Sequence, residues 1–140
     1  MLSLKLATEK DALAVATLFK ELHSFSVYEG VVPYRGEDVE EIVTKLSRDP
    51  NTGVTILLED EGRLIGAMIC STMQQVFNKS EKTAVELGFW ITPDKRTPTA
   101  LKKLLQAYRY WAKRVGCTSI LQGKLTDRKN TETYTIRKLA

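Results

Sequence analysis

The stretch that decides the fold is "AVELGFWITPDKRTPTALKKLLQAYRYWAKRVGCTSILQGKL", residues 84–125. Its first eight residues are apolar enough to predict a strand, 84–91, and a basic turn follows. Pro98 suits the first position of a helix, and the apolar spacing after it predicts a helix over 98–115. Residues 118–125 predict a further strand. We therefore expect a right-handed parallel strand–helix–strand crossover, in which ligands bind beyond the carboxyl end of the first strand.

The rest of the chain adds one strand and two helices before this unit, and a β-hairpin between them. A strand is predicted at 2–6, and Thr8 is a plausible N-cap for the helix that follows. The hairpin "VTILLEDEGRLIGAMIC" turns at Glu61-Gly62. Two further segments are predicted as a polar loop, 73–83, and a short polar helix, 128–139. The order predicts one mixed α/β domain with three layers over residues 1–140.

Alternation along the strand 84–91 predicts which side chains share a face. Val85, Leu87, Phe89 and Ile91 are expected on one face, and the other face carries Glu86, Gly88 and Trp90. The carboxylate of Glu86 is therefore expected inside an otherwise apolar strand, which makes it a candidate for acid–base chemistry. The alternative is a glutamate that is wetted at a strand end or paired with a lysine.

Composition limits the function classes. The chain has 140 residues, 43% of them hydrophobic and 27% charged, as in ordinary globular proteins. No apolar run approaches the roughly 20 residues of a membrane helix. The N-terminus lacks the pattern of a signal peptide, so a cytoplasmic protein is expected. Cys70 and Cys117 are expected to be buried and reduced, and a single histidine argues against a metal site.

The charge of the chain is unevenly distributed. Residues 1–92 carry 9 basic and 14 acidic side chains, a net charge of −5, whereas residues 93–140 carry 12 basic and 3 acidic ones, a net charge of +9. This separation predicts an anionic ligand for the C-terminal third, or a solvated face neutralised on folding. Nucleic acid is the least favoured anion, because Tyr108 and Trp111 lie on or beside the apolar stripe and are not interleaved with the cations.

Four segments of the sequence resemble the GNAT family of N-acetyltransferases. They are "LKLATEKDALAVATLF", "EDEGRLIGAMI", "ELGFWITPDKR" and "ALKKLLQAYRYWAKRVGCTSI". The resemblance covers roughly residues 2 to 139, and its specific motif runs from Pro93 to Leu105. It implies a three-layer GNAT-like domain in which the usual C-terminal strands are missing. The open sheet edge would then be completed by a second copy or by a partner chain.

The resemblance implies acetyl-CoA as the donor and an amine, on a small molecule or a protein, as the acceptor. In the family, an arginine and two glycines after the strand wrap the pyrophosphate, and Arg96 falls on the arginine. Thr99 and Leu101 stand at the glycine positions, and Pro98 removes one backbone donor. The implied cofactor-binding residues are Phe89, Trp90 and Ile91 for the pantetheine arm, and Arg96, Thr97, Thr99, Ala100, Leu101 and Asn130.

The resemblance also assigns the chemistry. Glu86 is the implied base that takes the ammonium proton, and Tyr134, on the last predicted helix, is the implied acid for the leaving thiolate. The alternative for Tyr134 is packing of a short helix. Small proteins of this kind are frequent in bacteriophage genomes, so a host-cytoplasmic enzyme and a non-catalytic GNAT-fold component of a phage virion both stay open. The changed glycine positions favour the second alternative, and the intact motif residues favour the first.

Overall fold

The computed structural model of the protein describes residues 1–123 and 134–139. Within these two ranges, six strands and three helices follow one another, with a single-turn 3-10 helix before α1 and another before α3. Their bounds are β1 Leu2–Leu6, α1 Ala12–Phe25, α2 Gly36–Ser47, β2 Gly53–Asp60, β3 Arg63–Gln75, β4 Asn78–Ile91, α3 Pro98–Arg114, β5 Ser119–Gly123 and β6 Tyr134–Lys138. No helix in this part of the chain is both long and apolar enough to cross a membrane.

The strands form one mixed sheet in the order β1-β2-β3-β4-β5-β6. Every neighbouring pair is antiparallel except β4 and β5, which are parallel. Helix α3 connects these two strands, so the predicted parallel crossover is confirmed. The predicted hairpin turn is also confirmed: Glu61 and Gly62 have φ angles of 51° and 79°, as a two-residue type I′ turn requires.

Each face of the sheet has its own hydrophobic core, which gives the three predicted layers. On one face, α1 and α2 cover a cluster that includes Val15, Phe19, Val43 and Trp90. On the other face, α3 presents Leu104, Tyr108, Trp111 and Ala112 to Met68, Phe89 and Ile91. Of the apolar stripe predicted for this helix, Leu104, Tyr108 and Ala112 are buried, and Leu101, Leu105 and Val115 pack against the same core but are only partly buried.

Strand β4 contains a β-bulge that corrects the predicted faces. Ile69 of β3 is opposite Gly88, but the next residue, Cys70, is opposite Glu86, so Leu87 is the extra residue. The bulge shifts the alternation by one position. Glu86 therefore shares the α3 face with Phe89 and Ile91, whereas Gly88 and Trp90, which were predicted to share its face, lie on the α1 side. Alternation in sequence carries no mark of a bulge, which is why the prediction was wrong.

Two predicted segments have different structures. The loop predicted at 73–83 belongs to a long hairpin, because β3 reaches Gln75 and β4 begins at Asn78. The helix predicted at 128–139 is wrong over 134–138, where β6 pairs antiparallel with β5 from Tyr134 opposite Gly123 to Lys138 opposite Ser119. Tyr, Thr and Ile favour strands, and pairing with the edge of β5 satisfies their backbone. One terminal strand thus follows β5 where none was predicted, and 128–133 lie outside the described residues.

Candidate functional site

The candidate site begins where β4 ends. A 3-10 turn, Pro93–Lys95, follows the strand, and the Lys95 amide donates to the Thr92 carbonyl at 2.8 Å. The proline prevents the strand from continuing, and the turn leads the chain directly into α3. The basic loop is therefore a compact connection at the carboxyl end of β4.

The N-terminus of α3 is built as the sequence predicts. Thr97 is the N-cap, its hydroxyl accepts from the Ala100 amide at 3.1 Å, and Pro98 occupies the first helical position. The amide of Leu101 donates to the Thr97 carbonyl at 3.0 Å. Thr99 keeps its amide at the second helical position, where a helix N-terminus attracts anions. Ala100 is buried, and its amide is already used by the cap.

Arg96 packs against the strand it follows. Its Nε donates to the Ile91 carbonyl at 2.8 Å, and its guanidinium carbon lies 4.4 Å from the Trp90 ring centroid. Trp90 in turn donates from Nε1 to Glu21 Oε1 of α1 at 3.0 Å and contacts Phe25 at 5.3 Å between ring centroids. The side chain therefore ties the loop to the end of β4 and, through Trp90, to α1.

The parallel strands β4 and β5 part soon after they meet. Their register contains Thr83 opposite Ser119 and Ala84 opposite Ile120. Beyond these pairs, the half-buried carboxylate of Glu86 accepts from the Gly123 amide at 2.8 Å. The bulge at Leu87 bends β4 in this region. The paired part of β4 and β5 thus ends before the carboxyl end of β4, from which the chain continues through the loop into α3.

A second side chain reaches the same edge of β5. The Tyr108 hydroxyl, from α3, donates to the Leu121 carbonyl at 2.7 Å. Burial raises the pKa of the Tyr108 phenol well above its ordinary value, and Cys70 and Glu86 add to that shift. The apolar stripe of the helix identified Tyr108 as a core residue only, because the spacing of residues does not show which atom a buried hydroxyl contacts. Burial likewise raises the pKa of the Cys70 thiol, and both cysteines are free and buried, as predicted.

A groove of about 400 Å³ runs along the outer face of α3 from its N-terminus. Its lining residues are Pro98, Leu101, Lys102, Leu105, Gln106 and Arg109. Leu101, the residue that occupies a glycine position of the resemblance, is a half-buried member of this apolar floor. Lys102 and Arg109 are exposed at the rim. The groove therefore combines an apolar floor with two cations at its rim, Lys102 near the helix N-terminus and Arg109 about two turns further along the helix.

The two residues implied as base and acid approach the same backbone position. Glu86 contacts the Gly123 amide, and Tyr134 begins β6 directly opposite Gly123. Tyr134 thus stands on a strand and not on the predicted helix. Asn130 lies outside the described residues. The described residues hold no group of three or more His, Cys, Asp or Glu side chains suited to a metal ion.

The fold and the candidate site define an α/β protein with a mixed sheet, in which a parallel strand pair diverges beside the helix that joins the two strands. The model of the "Acetyltransferase (GNAT) family" matches residues 15–135, and the chain belongs to this family. No curated protein sequence matches the chain.

Solved acetyltransferase structures share the fold at low sequence identity. A predicted acetyltransferase from Clostridium acetobutylicum with acetyl-CoA is 16% identical, with 86% of this chain and 79% of that chain covered and a TM-score of 0.69. AAC(6')-Iy with a bisubstrate analog is 14% identical, with coverages of 91% and 81% and a TM-score of 0.68. The ribosomal-protein-alanine N-acetyltransferase of Brucella melitensis is 13% identical, with coverages of 85% and 77% and a TM-score of 0.65.

Proposed function

We propose that the protein transfers an acetyl group from acetyl-CoA to an amine. The observation that carries the proposal is the parting of β4 and β5 after two paired positions, with the α3 N-terminus at the end of β4. Membership of the acetyltransferase family supports it. One structural neighbour was solved with acetyl-CoA and another with an analog that joins CoA to acetylneamine.

The residues at the opening fit the parts of acetyl-CoA. The β4 backbone at Phe89, Trp90 and Ile91 would pair with the amide-containing arm of the donor. The Thr99 amide and the neighbouring helix start at Thr97 to Leu101 would face its phosphates. Lys102 and Arg109 would attract the same anion from the groove rim. Asn130 stays a predicted contact.

We expect Arg96 to act by ordering this loop. Its contacts with the Ile91 carbonyl and the Trp90 ring fix the path of the chain between β4 and α3. The loop has no glycine, and these contacts would keep Thr97 and Thr99 in the arrangement that binds the donor. Such preorganisation lowers the entropic cost of binding.

The chemistry that we propose is direct attack of the amine nitrogen on the thioester carbonyl. A nitrogen–carbon bond forms, the carbon–sulfur bond breaks, and the electron pair leaves on the CoA thiolate. Glu86 takes the proton that the ammonium must lose, and Tyr134 gives a proton to the thiolate. The support for this pair is their common neighbour Gly123.

The unpaired outer edge of β6 supports a proposal about partners. Among the described strands, β1 and β6 flank the sheet, and Ile136 of β6 is 60% exposed. Exposed strand edges invite pairing, so we propose that a second copy or a partner chain covers this edge. Analytical ultracentrifugation of the wild type and an Ile136→Lys variant tests it, and identical monomeric behaviour of both would count against it.

Thermal unfolding with acetyl-CoA is the direct test of the function. At 100 times the Kd, binding to the folded state should raise the free energy of unfolding by about 2.7 kcal/mol. Release of free thiol is then measured with an aminoglycoside and with a peptide carrying N-terminal alanine, the acceptor classes that the neighbours' names suggest. Absence of stabilisation at millimolar acetyl-CoA would overturn the proposal. Stabilisation without thiol release from any amine would instead favour a non-catalytic binding protein.

A further inference from the structure

The edge of β5 that borders the opening is occupied by side chains. Past Ile120, the last residue of β5 opposite β4, the Leu121 carbonyl accepts from the Tyr108 hydroxyl at 2.7 Å. The Gly123 amide donates to the Glu86 carboxylate at 2.8 Å. These are backbone groups that a continued β4–β5 ladder would otherwise require, because backbone donors and acceptors of buried strands need partners.

The two contacts are matched in polarity and come from different layers. A phenol hydroxyl donates to the carbonyl, and a carboxylate oxygen accepts from the amide. Tyr108 is fully buried in the α3 layer, whereas Glu86 extends from β4. These two backbone groups of β5, the Leu121 carbonyl and the Gly123 amide, therefore have side-chain partners.

Gly123 is fitted to this arrangement by its lack of a side chain. A Cβ at this position would lie 2.6 Å and 2.8 Å from the two carboxylate oxygens of Glu86. Carbon atoms do not approach oxygen so closely, so any other residue would displace the carboxylate from the amide. The close approach alone accounts for the glycine, because its φ lies outside the left-handed range.

We propose that Tyr108 is a positioning residue for the acetyl donor. Together with Glu86 and Gly123, it occupies the β5 edge and prevents β4 and β5 from pairing further along their length. The β4 backbone at 89–91 then stays available to an extended ligand arm. This inference rests on the proposed function, since it concerns the site that the donor would enter.

The test compares Tyr108→Phe with Tyr34→Phe. Both changes remove a tyrosine hydroxyl that donates to a backbone carbonyl, and Tyr34 does so to Ala16 on the opposite side of the sheet. CoA affinity is measured by calorimetry, and kcat and KM for acetyl-CoA by thiol release. We expect Tyr108→Phe to raise Kd and KM roughly threefold to tenfold, with kcat within about twofold of the wild type. Tyr34→Phe should lower the unfolding temperature and leave the Kd unchanged.

The outcomes separate this inference from the proposed function. If the wild type binds no CoA at millimolar concentration, the proposed function fails, and this inference fails with it. If the wild type binds CoA and Tyr108→Phe keeps the wild-type Kd, the inference alone is overturned. If Tyr108→Phe does not fold, Gly123→Ala decides, because it displaces the Glu86 carboxylate without touching the core under α3. An unchanged Kd in that variant would also overturn the inference.

Discussion

The guanidinium of Arg96 makes two contacts that depend on its shape as well as its charge. It lies over the Trp90 ring at 4.4 Å and donates from Nε to the Ile91 carbonyl. A lysine carries the same charge, but its ammonium has neither the flat face nor the Nε donor. At the scale of one residue, the loop after β4 is therefore ordered by geometry that a charge count does not describe.

Replacement of Arg96 by lysine and by glutamine separates these two properties. If Arg96 orders the loop, Arg96→Lys and Arg96→Gln should both raise the Kd for acetyl-CoA, by about tenfold each. The measurement is calorimetry at fixed ionic strength. Near-wild-type affinity in Arg96→Lys combined with a large loss in Arg96→Gln would show that charge is what the site uses, and would contradict the ordering role.

Glu86→Gln tests the base at the same scale. The amide oxygen of glutamine can still accept from the Gly123 amide, so the contact in the opening is kept while the proton acceptor is lost. We expect kcat to fall by about 10² to 10⁴ with the Kd for acetyl-CoA within about twofold of the wild type. The decrease of kcat at low pH that protonation of the base causes should also disappear from the pH profile. A kcat within threefold of the wild type would refute the role.

At the scale of elements, local signals, the hairpin and the parallel crossover were readable in the sequence, whereas the bulge and the pairing of the last strand were not. Thr97 with Pro98 and the Glu61-Gly62 turn work through neighbouring backbone, so their positions followed from residue type alone. The bulge at Leu87 and the pairing of β6 depend on a strand far away in sequence. The Glu86 contact with Gly123 is of the second kind, so the residue was predicted while its partner and its face were not.

The single-turn 3-10 helix before α1, Glu9–Asp11, gives a pH prediction for an element. Thr8 and Asp11 form a capping box. Burial would raise the pKa of Asp11, but hydrogen bonds from the Thr8 amide and Lys5 outweigh it and lower the pKa below its ordinary value. Since the folded pKa is depressed, this stabilisation is present above pH about 4 and is lost as pH falls through the folded pKa.

Asp11→Asn is the matching variant. It should lower the free energy of unfolding at pH 7 by about 0.5–2 kcal/mol, and the difference from the wild type should shrink at pH 2.5. Urea unfolding at both pH values measures the two differences. A difference of equal size at pH 7 and pH 2.5 would mean that the carboxylate charge has no part in the cap.

At the scale of the whole molecule, the separated charges meet at the site. The acidic and basic parts touch at the ion pair of Asp60 with Lys95, 3.8 Å apart, beside the loop that follows β4. Lys102 and Arg109 stay exposed along the groove. Residues 93–140 carry a net charge of +9 in sequence and include this groove and the helix N-terminus, so the proposed donor site belongs to the basic part of the chain.

Salt dependence of donor binding tests this arrangement. Exposed charges are screened within about 8 Å at physiological ionic strength, so the Kd for acetyl-CoA should rise as sodium chloride is increased from about 20 mM to 500 mM. Lys102→Gln should weaken binding at low salt and flatten the dependence, because it removes a cation at the groove rim. Lys20→Gln, an equal change of net charge on the exposed face of α1, should leave the slope unchanged. Equal slopes for Lys102→Gln and Lys20→Gln would mean that only net charge matters. The basic part would then be a solvated face, and acetyl-CoA binding would depend on the opening between β4 and β5 alone.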